Sequence, residues 1–145
     1  MKSSLALTLI LLFVVLGGLL SGYLSYVNLF ANGCGQTIIS CGVNPVYIVG
    51  LPNCVYGFAM YVAIGILSAI YWVKGSSKGI ANALVWLGLV GTLFALSLSV
   101  YELWLAAEKP ESLPACVYGF FFYLGIFVVS LLLRRNEMRK MQTTV

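Results

Sequence analysis

The chain has 145 residues, 61% hydrophobic and 8% charged, with a formal net charge of +4, four cysteines and no histidine. A soluble domain carries about 25% charged residues, so this composition excludes a protein that covers its own surface in water. The few basic residues flank apolar runs, which marks them as topology signals and excludes a nucleic-acid footprint; the absence of histidine excludes His-based catalysis and most zinc chemistry.

Between Lys2 and Lys74 there is no Asp, Glu, Lys or Arg. That run is long enough for two membrane crossings of about 20 residues each and a connecting loop. The first apolar run, residues 5–30, is too long for the apolar centre of a signal peptide, and no small-x-small cleavage site follows it. It ends through Gly22, Tyr26 and Asn28, residue types suited to a headgroup interface. The loop that follows, 31–52, holds Cys34 and Cys41 among turn-forming residues: Asn32-Gly33, Gly35, Gly42 and Asn44-Pro45. It is uncharged and partly apolar, which predicts a segment lying on the membrane surface or folded over the helix ends.

Pro52 opens a second span over 53–73, because a proline in the first turn of a helix sacrifices no hydrogen bond. Residues 74–79 read as a short polar hairpin, 80–105 as the third span, and 106–114, with Glu108, Lys109 and Glu111, as a second longer loop. Pro114 opens the fourth span, 115–133, and 134–145 reads as a soluble basic tail. With four spans, Lys2, Lys74, Lys78, Arg134, Arg135, Arg139 and Lys140 fall on one side and Lys109 alone on the other. This bias places both termini in the cytoplasm and both longer loops outside. The expectation is a single all-α integral membrane domain over 1–145: a four-transmembrane-helix bundle in the plasma (inner) membrane, with a cysteine-containing extracytoplasmic loop over its outer end.

The chain contains a repeat. Leu51-Pro52-Asn53-Cys54-Val55-Tyr56-Gly57-Phe58 recurs as Leu113-Pro114-Ala115-Cys116-Val117-Tyr118-Gly119-Phe120, seven identities in eight positions, and Tyr61 and Tyr123 extend the match. Both copies open an even-numbered span, so spans two and four run in the same direction and the two halves are related by a pseudo-two-fold along the membrane normal. Cys54 and Cys116 therefore fall at one level of the bilayer, each in the first turn of a helix. Gly17, Gly18, Gly88 and Gly91 are positions for close helix approach.

All four cysteines fall at or beyond the outer interface, where disulfides persist. Four cysteines allow three connectivities. Pairing loop with loop and helix with helix would stack two disulfides at one face, an arrangement suited to thiol–disulfide relay through mixed disulfides. The same bridges could equally be staples. A zinc site is a weaker alternative, since the chain has neither histidine nor CxxC, and no metal site is expected.

Several of these features together resemble the vitamin K epoxide reductase family: Cys34-x6-Cys41-x-Val43, Tyr47, Gly50-Leu51-Pro52 and Gly57 in the first half, and Tyr101-Glu102-Leu103 followed by Cys116 in the second. The similarity covers residues 5–133. That family, like the functionally similar bacterial enzyme DsbB, reoxidises thioredoxin-like proteins and reduces a quinone. The resemblance implies that Cys34 and Cys41 are a shuttle pair facing an extracytoplasmic thioredoxin-like partner, and that Cys116 matches the first cysteine of the family's CxxC. The second cysteine of that motif, which attacks the quinone, is replaced by Gly119. Cys54, at the corresponding place in span two, is expected to supply the missing thiol and form a split redox pair with Cys116.

The expected function is thus a quinone-linked disulfide oxidoreductase with catalytic Cys34, Cys41, Cys54 and Cys116 and a ubiquinone or menaquinone acceptor. Tyr56, Tyr61, Tyr118 and Tyr123 are the candidates to line the quinone pocket, or else they simply pack between helices. Glu102, the one acidic residue near a span interior, is a functional candidate as an intramembrane ionisable group, but its place near the outer end of span three favours simple solvation at the interface. The competing class is a non-catalytic membrane scaffold or partner subunit with structural disulfides.

Overall fold

A computed structural model describes residues 3–30, 47–75, 77–106 and 115–142. Cys34, Cys41 and the loop carrying them, the loop 107–114, and the last three residues lie outside the described residues.

Four helices make up almost all of the described chain: α1 (Ser3–Phe30), α2 (Asn53–Lys74), α3 (Lys78–Ala106) and α4 (Ala115–Gln142). All four are long and apolar enough to cross a membrane. Even α2, with 22 residues, extends about 33 Å at 1.5 Å per residue, against about 30 Å of hydrocarbon. The residues expected to form a tail after the fourth span instead continue α4 to Gln142.

Local chemistry sets the ends of α2. Pro52 precedes it in extended conformation (φ −64°, ψ 143°), and Gly75 ends it at φ 79°, its N–H donating to the Tyr71 carbonyl at 3.0 Å. Only glycine takes a positive φ there without steric cost. The Ser77 carbonyl then accepts the first bond of α3, from Ala81 N–H at 3.0 Å. Before α2, where the sequence predicted only loop, Tyr47–Ile48 (β1) and Leu51–Pro52 (β2) pair antiparallel. The turn between them has positive φ at both central residues, Val49 (51°) and Gly50 (80°), the pattern of a tight hairpin whose twist matches its strands. Glycine suits that conformation; for the β-branched Val49 it is strained.

The helices form a ring in chain order, each packed on the next and α4 closing onto α1, which leaves α2 facing α4 across the bundle. Ile10, Ile64, Leu84, Ile126 and Leu133 are fully buried inside, while Leu19, Val73, Trp86 and Trp104 point outward. A helix bundle apolar both inside and out fits a lipid bilayer. Hydroxyls within the helices bond to their own backbone: Ser25 to Ser21 O (2.7 Å), Ser68 to Ile64 O (2.8 Å), Thr92 to Gly88 O and Ser99 to Ala95 O (2.7 Å each). In an apolar surrounding such bonds remove the cost of a bare polar group.

The sequence repeat reappears as reciprocal contact at the bundle centre. Tyr61 of α2 donates its hydroxyl to the Gly119 carbonyl of α4 (3.4 Å), and Tyr123 of α4 donates to the Gly57 carbonyl of α2 (2.7 Å). Each tyrosine thus bonds the glycine that begins the other copy's turn. The two rings stack, centroids 4.3 Å apart and planes 12° from parallel. The outer faces of this stack are closed by glycines of the preceding helices, Gly17 against Tyr61 and Gly91 against Tyr123. A methyl at position 91 would overlap the Tyr123 ring. Gly91→Ala is therefore expected to displace Tyr123, lose its bond to Gly57 and destabilise the bundle by about 1–3 kcal/mol, read as a lowered unfolding midpoint in detergent; Gly50→Ala, whose added carbon would meet nothing within 4 Å, shows the effect of backbone strain without core overlap.

Candidate functional site

Cys54 and Cys116 both stand in first turns, of α2 and α4. Because these helices start at one end of the bundle and face each other, the two side chains converge on one cavity. Both are free thiols and both are partly buried. The amide of Asn53 connects them: Cys54 Sγ donates to Asn53 Oδ1 at 3.4 Å, and Asn53 Nδ2 donates to Cys116 Sγ at 3.5 Å. Cys116 Sγ in turn donates to Glu102 Oε1 at 3.4 Å. The result is a directed chain, thiol to amide to thiol to carboxylate, across three helices.

Glu102 departs from the sequence expectation. It is 6% exposed, so it is not a solvated interfacial residue. The α3–α4 packing turns it inward, and its second oxygen, Oε2, is buried without a hydrogen-bond partner. The described cations, Lys74, Lys78, Arg134, Arg135 and Arg139, all belong to the opposite end of the bundle, where α2 and α4 end and α3 begins. Asn53, 5% exposed, has no place among the residues expected from sequence. A signal for it existed: it is the one position at which the eight-residue repeat differs, asparagine in the first copy and alanine in the second.

The cavity beneath the thiols is enclosed by all four helices. Gly17, Leu20, Ser21 and Leu24 of α1, Asn53, Cys54, Gly57 and Tyr61 of α2, Phe94, Ala95 and Leu98 of α3, and Ala115, Cys116, Gly119, Phe122 and Tyr123 of α4 line it. Its empty space, counted together with the open space at its mouth, is roughly 490 Å³. The walls are mainly apolar, and the polar groups gather at the thiol end and at the stacked tyrosines.

The four tyrosines separate into two kinds. Tyr61 and Tyr123 line the cavity, whereas Tyr56 and Tyr118 do not; Tyr118 is exposed on the flank. Five residues separate the members of each pair, about 140° around a helix of 3.6 residues per turn, so one member faces in when the other faces out. Tyr61 and Tyr123 also spend their hydroxyl protons on the glycine carbonyls. Cys34 and Cys41 lie outside the described residues.

No protein-family model, curated protein or solved structure matches the chain. Function must therefore be argued from the site's own chemistry. Two thiols on one apolar cavity are the reduced half of a disulfide, and closing it requires a two-electron acceptor and displacement of the Asn53 amide that lies between the sulfurs. The Asn53 amide keeps both sulfurs oriented while they are thiols, and its Nδ2–H is a donor that can reach a carbonyl oxygen once the Cys116 sulfur is engaged elsewhere. Asn53→Ala is expected to leave both thiols without this partner, lowering stability by about 1–3 kcal/mol in chemical denaturation and slowing closure of the Cys54–Cys116 bond, followed by mass spectrometry of alkylated peptides.

Proposed function

We propose that the chain is a membrane thiol–disulfide oxidoreductase that passes electrons from an extracytoplasmic thioredoxin-like protein to a quinone. The observation that carries this reading is the pair of free thiols held by one amide at the mouth of an apolar cavity. In the proposed sequence, a reduced partner protein gives two electrons to Cys34–Cys41 by exchange through a mixed disulfide. That pair passes them to Cys54–Cys116. The two thiols then close into a disulfide, and a quinone held in the cavity takes up the two electrons and two protons to become the quinol.

The resemblance to the vitamin K epoxide reductase family supports the same order of events, with Cys54 in place of the thiol that Gly119 lacks. A flat, apolar ring with two carbonyl oxygens suits walls of phenylalanine, leucine and glycine with an amide at one end. The stacked tyrosines would form the floor of the site. In this reading the thiol end faces outside, the chain sits in the plasma (inner) membrane, and both termini are cytoplasmic, following the Lys and Arg asymmetry.

Gly119 favours a second reading, a scaffold or partner subunit whose cysteines serve structure. The discriminating experiment uses purified protein in lipid nanodiscs with a reduced dithiol donor and short-chain ubiquinone or menaquinone. Quinol formation at a rate proportional to protein supports the enzyme; no quinol from either acceptor, with Cys54 and Cys116 unchanged as thiols, establishes the scaffold.

A further inference from the structure

Glu102 does nothing in the electron path just described, yet it is a costly side chain to place where it stands. A carboxylate buried in an apolar bundle is expensive unless it is paired. Among the described residues its surroundings hold no cation; α4 presents Cys116 to it, α2 presents Cys54 and the neutral amide of Asn53, and the described cations stand at the other end. One oxygen accepts the Cys116 S–H, and the other is buried with no partner.

We propose, resting on the oxidoreductase reading above, that Glu102 is the catalytic proton acceptor for Cys116: it takes the thiol proton as the sulfur reacts and holds it until the proton leaves with the electrons. Two features of the geometry carry this. The carboxylate already receives the S–H it would accept, and Oε2 offers an unused lone pair at the same place. Proton transfer over this contact breaks the Cys116 S–H bond and makes an O–H bond on Glu102. The negative charge moves from oxygen to sulfur, and no new charge is created in the low-dielectric bundle, whereas loss of the proton to bulk water would create one. Over the full reaction the S–H bonds of Cys54 and Cys116 break, one S–S bond forms, and two electrons and two protons pass to the quinone, giving the quinol. The Cys116 proton makes this passage by way of Glu102. Cys54 gives its hydrogen bond to Asn53 Oδ1, whereas Cys116 donates directly to the carboxylate, so Cys116 is the first of the pair to be activated.

The test reads Cys116 itself as well as turnover. Alkylation of the full-length reduced protein by iodoacetamide is followed over a pH series, with the Cys116 peptide quantified by mass spectrometry. In the unaltered chain the rate is expected to rise with ionisation of the carboxyl and then level off. In Glu102→Gln, of nearly the same shape, the plateau disappears: near neutral pH Cys116 reacts about a hundredfold more slowly, the usual worth of a positioned base, and its rate climbs with pH as hydroxide alone removes the proton. Glu102→Asp keeps the plateau at a lower rate, which separates loss of the base from loss of the fold. An E102Q profile superimposable on that of the unaltered chain overturns the proposal, whatever the quinone assay gives. Failure of the unaltered chain to reduce quinone overturns the oxidoreductase reading instead, and the alkylation profile, which needs no quinone, tells the two failures apart.

Discussion

Cys54→Ser and Cys116→Ser are each expected to abolish the proposed quinone reduction, lowering turnover by about a thousandfold or more, with the double variant no slower than either single one. This is the behaviour of groups that act as one unit, for which single losses do not add. The reason is in the site. Neither sulfur has a second thiol within the described chain other than its partner across Asn53, so removing one leaves no S–S bond to form as two electrons depart. The two variants differ in what remains. With Cys116 gone, the only thiol that donates directly to Glu102 among the described residues is lost, and Cys54 keeps its bond to Asn53. With Cys54 gone, Cys116 keeps both Asn53 and Glu102 and is still alkylated at the rate of the unaltered chain. Turnover by stopped-flow absorbance of the quinone and peptide-resolved alkylation measure the two effects separately.

Gly119→Cys is expected to rescue Cys54→Ser. A side chain at position 119 meets nothing within 4 Å of its first carbon, and the position lines the same cavity as Cys116. Residues three apart on a helix are neighbours on one face, so the added thiol lies one turn from Cys116. The Tyr61 bond to residue 119 uses the backbone carbonyl and survives the substitution. The double variant should recover turnover to within about a hundredfold of the unaltered chain, the loss that roughly 1 Å of misplacement brings. In the unaltered background the same change adds little, because Cys54 already closes the bond. A double variant as inactive as Cys54→Ser alone would mean that the α2 side of the cavity does more than supply a thiol.

The architecture was legible because lipid imposes a simple code. A run without charge from Ser3 to Val73, interrupted by turn residues, has to become two helices and a link. Pro52 and Gly75 stand at the ends of α2 because each fits one end of a helix and no interior position. The repeat was informative at a finer level: it put Cys54 and Cys116 on one cavity, joined through Asn53, and Tyr61 against Tyr123, since equal positions on parallel, facing helices fall at equal depth. Pattern alone did not separate Tyr61 from Tyr56 or Tyr123 from Tyr118, because the facing direction depends on how α2 and α4 are rotated in the ring. Glu102 was misread for a related reason. Nearness to the end of a span suggests water, but the rotation of α3 against α4 turns the carboxylate onto Cys116. Asn53 was hidden by its ordinary place beside a proline at a helix start, and the extension of α4 to Gln142 by charges that read as a tail.

The most direct measurement is the chemical state of Cys54 and Cys116 after a single anaerobic turnover. Fully reduced protein carrying Cys34→Ser and Cys41→Ser, which cannot pass the oxidation on to the loop pair, is mixed with one equivalent of quinone, quenched with an alkylating reagent and digested. Peptides joined through Cys54 and Cys116 should appear in step with quinol, one crosslink for each quinol formed. Quinol produced while both residues are recovered as alkylated thiols, with no crosslink between them, would contradict the split pair.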